Sequence, residues 1–209
     1  MKNLEIEYKW EANAPRAFAE MLKAVKNLKI VRLSRPQKLS ICDVYLDHPD
    51  YSFEREELAF RVRNTGTQWE ATFKTRTEIV DGRAMRREET LPLPGVKNAP
   101  EALEKLNQKK HWCGLNVTQL VPLFEIHNQR TIYQLTWRKN QAELALDNCM
   151  VHVCGRKVCF KEIELELKKG SAEQLTLLAE ELSGESGLAA AKISKVKTAV
   201  MLRELWSEK

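Results

Sequence analysis

Glu5-Ile6-Glu7-Tyr8-Lys9 alternates acid, apolar, acid, aromatic and base. Successive side chains of a strand point to opposite faces. As a strand, this stretch puts Glu5, Glu7 and Lys9 on one face and Leu4, Ile6, Tyr8 and Trp10 on the other. By itself it reads equally well as an edge strand whose charged face is solvated. The stretches that follow decide between a surface strand and something more enclosed.

Several of them repeat the mixture. Within 57–64, Leu58, Phe60 and Val62 alternate with Ala59, Arg61 and Arg63, and within 69–75, Trp69, Ala71 and Phe73 alternate with Glu70, Thr72 and Lys74. Residues 84–91 place Arg86 and Glu88 on one face, and 157–168 set Glu162, Glu164, Glu166 and Lys168 against Ile163, Leu165 and Leu167. Further strands are expected over 38–48, 123–129, 130–138, 142–147 and 150–154. Turns are expected at His48-Pro49-Asp50, Thr65-Gly66-Thr67 and Asp81-Gly82. Their short length implies antiparallel pairing.

Helices flank and interrupt these strands. Asn13-Ala14-Pro15 opens one whose apolar stripe is Phe18, Met21, Leu22 and Val25. A second is expected over 99–113. A third starts at a capping box of Ser171 and Gln174 and ends in a loop from Gly184 to Gly187, and a last one covers 195–206. If helices cover the apolar faces, the charged faces must meet inside. A closed antiparallel barrel with a polar lumen does this.

The chain has 209 residues, enough for a sizeable core, with 30% charged residues and a dispersed net charge of +5. There is no basic tail, so small anionic ligands fit better than nucleic acid. No apolar run approaches the ~20 residues of a membrane span. The opening Lys2-Asn3-Leu4-Glu5 has no signal-peptide core, so the cytoplasm is the expected location. The five cysteines are read as reduced thiols. Cys149, Cys154 and Cys159 with His152 lack the short spacing of a zinc site and read as strand residues. The proline-rich stretch 92–100 divides two sheet-forming halves without forming a linker, so residues 1–209 are expected to form a single domain.

Buried charges must be paired or bound to metal. Glu5, Glu7, Glu164 and Glu166 are suited to Mg²⁺ or Mn²⁺, which favour oxygen ligands. The arginines and lysines are suited to phosphate oxygens. An acidic metal site beside a basic anion site describes a pocket for a metal-bound polyphosphate.

In this setting the chain resembles the CYTH, or triphosphate tunnel metalloenzyme, superfamily. Glu5-Ile6-Glu7-Tyr8-Lys9 matches its Glu-x-Glu-x-Lys signature. Asp43-Val44-Tyr45-Leu46-Asp47 is similar to its Tyr-x-Asp segment, and Leu58-Ala59-Phe60-Arg61-Val62-Arg63 to its Arg-x-Arg strand. Thr72-Phe73-Lys74, Arg86-Arg87-Glu88, Asn128-Gln129-Arg130, Ala145-Leu146-Asp147, Glu164-Leu165-Glu166 and Ser194-Lys195 follow in the family's order. The resemblance implies an α+β fold: a closed eight-stranded antiparallel tunnel with helices outside. It also implies a metal-dependent phosphohydrolase or cyclase, with no histidine-rich domain after Ser194-Lys195.

The site expected on these grounds has Lys9, Glu5 and Glu7 at the catalytic centre. Lys9, Arg61, Arg63, Lys74, Arg86, Arg130 and Lys195 would bind substrate, and Glu5, Glu7, Glu88, Asp147, Glu162, Glu164 and Glu166 would hold Mg²⁺ or Mn²⁺. The register of the closing acid pair stays open between Glu162/Glu164 and Glu164/Glu166. Lys9 reads either as a phosphate ligand or as the salt-bridge partner of Glu7, and it shares candidacy for general base with a glutamate. The expected substrate is a small triphosphate, inorganic tripolyphosphate first, handled by a monomer or homodimer. Thiamine triphosphatase, class IV adenylate cyclase and a non-catalytic polyphosphate- or RNA-binding barrel are the alternatives.

Overall fold

A computed structural model describes residues 4–80 and 83–207. Eight antiparallel strands close into a barrel: β1 (Leu4–Glu11), β2 (Gln37–Asp47), β3 (Ala59–Asn64), β4 (Trp69–Lys74), β5 (Arg83–Pro92), β6 (Val121–Trp137), β7 (Asn140–Val153) and β8 (Arg156–Lys169). The order around the wall is β1-β8-β7-β6-β2-β3-β4-β5, and β5 pairs back onto β1. Five helices accompany them: α1 (Ala17–Asn27), the single turn α2 (Ser52–Arg55), α3 (Ala99–Lys109), α4 (Ala172–Ser186) and α5 (Lys195–Ser207).

The outward apolar faces build two cores. Trp10, Leu144, Ile163 and Leu165 pack under α1 and α4 through Met21, Val25, Leu175 and Leu182, with Ile6 and Tyr8 at the margin. Trp10 is only 1% exposed and its indole N–H donates to Ser183 Oγ at 2.8 Å. Truncating so large a buried ring costs about 3–5 kcal/mol. On the other side Val44, Phe60, Val62, Ala71 and Phe73 pack under α3 through Ala102 and Leu106. A third cluster closes one end of the barrel, where Ala199 and Val200 of α5 meet Tyr45, Phe124, Ile126 and Val151. An ion pair from Arg203 to Glu54 at 2.8 Å ties α5 to α2.

Turn chemistry explains the long hairpins. Cys154 and Gly155 both have positive φ (49° and 71°), the requirement of a two-residue turn that matches strand twist. Gly170 ends β8 at φ +115°, and a Cβ there would lie 2.1 Å from Asn140 Oδ1, so only glycine fits.

Several local expectations are corrected. The breaks between 129 and 130 and between 147 and 150 do not exist, because β6 and β7 run through them in unbroken register. The second helix stops at Lys109, where Lys110 turns to φ 60°, and a short hairpin pairing His111–Trp112 with Leu115–Asn116 replaces its last turn. The third helix runs through Gly184 to Ser186 and is capped by left-handed Gly187. Its capping box is half made: Ser171 Oγ accepts from Gln174 N, while Ser171 N donates to Asn140 Oδ1. The turn expected at Asp81-Gly82 lies outside the described residues.

Candidate functional site

The inward faces of the strands line a tunnel cavity of roughly 390 Å³, within the range of small-molecule sites. Alternation does the positioning. Glu5 and Lys9, Arg61 and Arg63, Lys74, Arg86, Arg130, Glu164 and Glu166 all reach this cavity from the faces expected of them. Lys195, the first residue of α5, enters from the helix.

On one flank, bases and carboxylates alternate in short chains of ion pairs. Asp43 receives Arg63 in a fork, Nε at 2.6 Å and Nη2 at 2.8 Å, with Arg61 Nη1 at 3.4 Å. Glu5 is held by Lys74 at 3.0 Å and Arg86 Nε at 2.5 Å, and Arg86 Nη2 also reaches Glu7 at 2.9 Å. Glu88 pairs with Lys74 at 2.7 Å. Two buried donors on this flank, Arg61 Nε and Thr72 Oγ1, have no hydrogen-bond partner among the described residues. Unmade buried hydrogen bonds are costly, and of the two residues Arg61 lines the cavity, where an oxyanion would be a partner.

On the other flank, carboxylates converge. Asp147, Glu162 and Glu164 each bring an oxygen within 4.8 Å of the other two. Lys195 Nζ sits among them, at 2.7 Å from Asp147, 2.7 Å from Glu162 and 2.6 Å from Glu164. Lys9 Nζ adds contacts to Glu164 at 2.6 Å and Glu7 at 3.3 Å. Arg130 forks onto Asp147 at 2.7 and 2.6 Å and also contacts Glu164. The ammonium of Lys195 stands where a cation among three carboxylates would stand.

The electrostatics follow. Burial pushes the Glu164 carboxyl up, but Lys195, Lys9 and Arg130 outweigh it and hold it well below the carboxylate range. Burial likewise opposes charge on Lys9, yet Glu164, Glu7 and Glu162 hold that ammonium protonated. Lys74 goes the other way: burial and the neighbouring Arg86 and Arg61 lower it despite Glu5 and Glu88. Asp43 is held at about 2, where Arg61 and Arg63 overcome burial.

Of the seven expected metal ligands, the structure brings together Asp147, Glu162 and Glu164. Glu5 and Glu7 face Arg86 instead, Glu88 serves Lys74, and half-exposed Glu166 pairs with Lys168 at 2.6 Å. Of the two closing pairs left open by the sequence, Glu162/Glu164 is the one that gathers with Asp147. Asp43 was not among the expected site residues, although strict alternation puts it on the same face as Tyr45. Asp47 points elsewhere: it accepts from the backbone N–H groups of His48, Phe53 and Glu54 and fixes the turn into α2.

With the geometry in view, comparison with known proteins is informative. The CYTH domain family model matches residues 3–200. The chain belongs to the CYTH domain family. An inorganic triphosphatase of Haemophilus influenzae is 26% identical over 166 residues, covering 79% of this chain and 47% of its own length. The chain thus spans about half the length of that relative. Solved structures share the CYTH fold. A candidate adenylyl cyclase from Hippeastrum, described as having a dominant triphosphatase activity, aligns at TM-score 0.62 and 16% identity over 95% of this chain and 96% of its own. The PH1819 protein of Pyrococcus horikoshii aligns at TM-score 0.60 and 19% identity, covering 98% and 99%. Among the described residues of this CYTH domain, no helix is long and apolar enough to cross a membrane.

Proposed function

We propose that this CYTH domain hydrolyses a triphosphate inside the tunnel with the help of Mg²⁺ or Mn²⁺, and that inorganic tripolyphosphate is its preferred substrate. The observation that carries the reading is the division of the tunnel: three converging carboxylates on one flank, and on the other a set of bases with two unpartnered donors. The likeness to a triphosphatase supports it.

The donor set fits a hard divalent cation, which takes oxygen ligands. Asp147, Glu162 and Glu164 would hold it. Such an ion neutralises phosphate charge and lowers the pKa of a bound water. Arg61, Arg63, Lys74, Arg86 and Arg130 orient the phosphate chain, exchanging their present carboxylate partners for phosphate oxygens. Arg61 Nε gains a partner when they do. Lys9 and Lys195, held protonated by the carboxylates around them, act as point charges on the phosphates. Catalysis then rests on positioning and charge stabilisation.

One observation favours a second reading. An apolar cavity of roughly 240 Å³, lined by Leu58, Leu123, Phe124 and Val200, shares Tyr45, Lys74 and Arg86 with the tunnel. Tyr45 stacks on Phe124 there, centroids 4.9 Å apart, with its hydroxyl 3.4 Å from Arg61 Nη1. It would suit the ring of thiamine triphosphate or a nucleotide, and with it a thiamine triphosphatase or class IV adenylate cyclase. Steady-state kinetics on tripolyphosphate, thiamine triphosphate and ATP, with assay for cyclic AMP, separates the readings. The highest kcat/KM is expected for tripolyphosphate; a clear preference for an organic triphosphate would overturn that choice. Binding without metal-dependent phosphate release would make the barrel a non-catalytic binder.

A further inference from the structure

The outer wall of the barrel carries a second constellation of donors, separate from the tunnel. On β2 and β6 the residues that alternate with tunnel-facing ones point outward. Cys42 lies directly across from His127, and Glu125 across from His152 on β7. His127 Nε2 is 3.1 Å from Glu125 Oε2 and 3.8 Å from Cys42 Sγ. One donor atom from each of these three half-buried residues lies within 4.8 Å of the other two. The His152 ring stacks on His127 with centroids 4.6 Å apart, and its Nε2 is shut off from solvent with no hydrogen-bond partner among the described residues.

We propose that Cys42, Glu125 and His127 bind one zinc-type divalent cation on the outside of the barrel, with His152 holding the His127 ring in place. Tetrahedral zinc, with bonds of about 2.3 Å to sulfur and about 2.0 Å to nitrogen or oxygen, sets S···N near 3.6 Å and N···O near 3.3 Å. The observed 3.8 and 3.1 Å are within a few tenths of an ångström of those spacings. A thiolate and an imidazole beside one carboxylate select a borderline-soft ion and disfavour Mg²⁺. Cys42 and His127 are fixed by the β2–β6 ladder, and Glu125 and His127 share one strand, so little ordering remains for binding to impose. The fourth position is left for water. The tunnel offers carboxylates alone, so the two sites would sort two kinds of cation.

The proposal does not depend on the tunnel's activity, and its test is spectroscopic. The full chain, kept reduced, is titrated with Co²⁺. The expected result is a thiolate-to-cobalt charge-transfer band that saturates near one equivalent, is displaced by Zn²⁺ and is untouched by Mg²⁺. Cys42→Ser should abolish the band, while Cys113→Ser, Cys154→Ser, Cys159→Ser and the tunnel variant Glu162→Gln should retain it. His127→Gln should weaken Zn²⁺ binding at least about 10-fold; this side chain is 41% exposed, so its replacement reads binding without disturbing the core. No band in the native chain, or a band that survives Cys42→Ser, would mean that His127 and Glu125 are an ordinary surface hydrogen-bonded pair.

Discussion

On the flank of the tunnel built around β2 to β5, the rungs of the ladder set opposite charges face to face. Asp43 lies across from Arg63, Glu5 of β1 across from Arg86, and Lys74 across from Glu88. Where β7 and β8 meet β1, like charges face one another on three rungs, with Asp147 across from Glu162 and both Glu143 and Glu7 across from Glu166, while Lys9 lies across from Glu164. Opposed like charges destabilise a sheet. The first flank is balanced rung by rung, with Glu5 supplied by the adjoining β1. The second has Lys9 of its own and depends further on groups reaching in from neighbours, Arg130 on β6 and Lys195 on a helix. On the proposed reading, the second flank takes the cation and the first the phosphate chain.

The largest effect should come from breaking the converging acids. Glu164→Gln should lower tripolyphosphate turnover by at least about 10³-fold and weaken Mn²⁺ binding at least about 10-fold, read by steady-state kinetics and calorimetric titration. Glu5→Gln and Glu166→Gln serve as the contrast, with Mn²⁺ affinity expected within about 2-fold of native. If Glu5→Gln loses Mn²⁺ as Glu164→Gln does, β1 belongs to the cation site and the division of the flanks fails. Next comes Arg61→Ala, which should cost about 2–4 kcal/mol in kcat/KM at unchanged metal affinity. A fall in metal affinity instead would erase the distinction from the other side.

A smaller effect is expected in acid. The Asp43 carboxyl is held below its unfolded value, so its contribution is complete above about pH 4 and is lost as pH falls toward 2. That loss should be about 2 kcal/mol. Urea midpoints measured across this range should show it, and Asp43→Asn should flatten that part of the curve. The smallest effect sharpens the comparison further. Lys195→Met removes the ammonium shared by three carboxylates, so Mn²⁺ affinity without substrate should rise about 10-fold, near 1.4 kcal/mol. An unchanged affinity would show that Lys195 does not stand in the cation's place.

Much of this was legible in the sequence because alternation in a strand fixes the face of a side chain before any contact is known. Glu5, Lys9, Arg61, Arg63, Lys74 and Arg86 all line the tunnel on that basis. What alternation cannot give is which charged groups share a rung. The register that pairs Glu7 with Glu166, and Asp147 with Glu162, had to be seen to separate the converging acids from the rest. The polar run Asn128-Gln129-Arg130 looked like a break, yet Asn128 is buried and Gln129 turns outward to Ser40 at 2.9 Å, so β6 passes through it. Cys42 and His127 are 85 positions apart and meet only across a ladder, which no local spacing reveals.

Barrel closure also bears on the order of assembly. β1 has β5 on one side and β8 on the other, and its contacts reach far: Lys9 and Glu164 are 155 positions apart. Closing so long a loop spends chain entropy before any rung rewards it. Refolding should therefore sit among slow, non-local topologies, with the β6–β7 and β7–β8 hairpins, whose turns are two residues long, forming early. Pulse-labelled hydrogen exchange should show the amides of residues 4–11 protected last; early protection there would contradict this order. The first of the eight strands in chain order is then the last to find its place, because its two neighbours come from opposite halves of the barrel sequence.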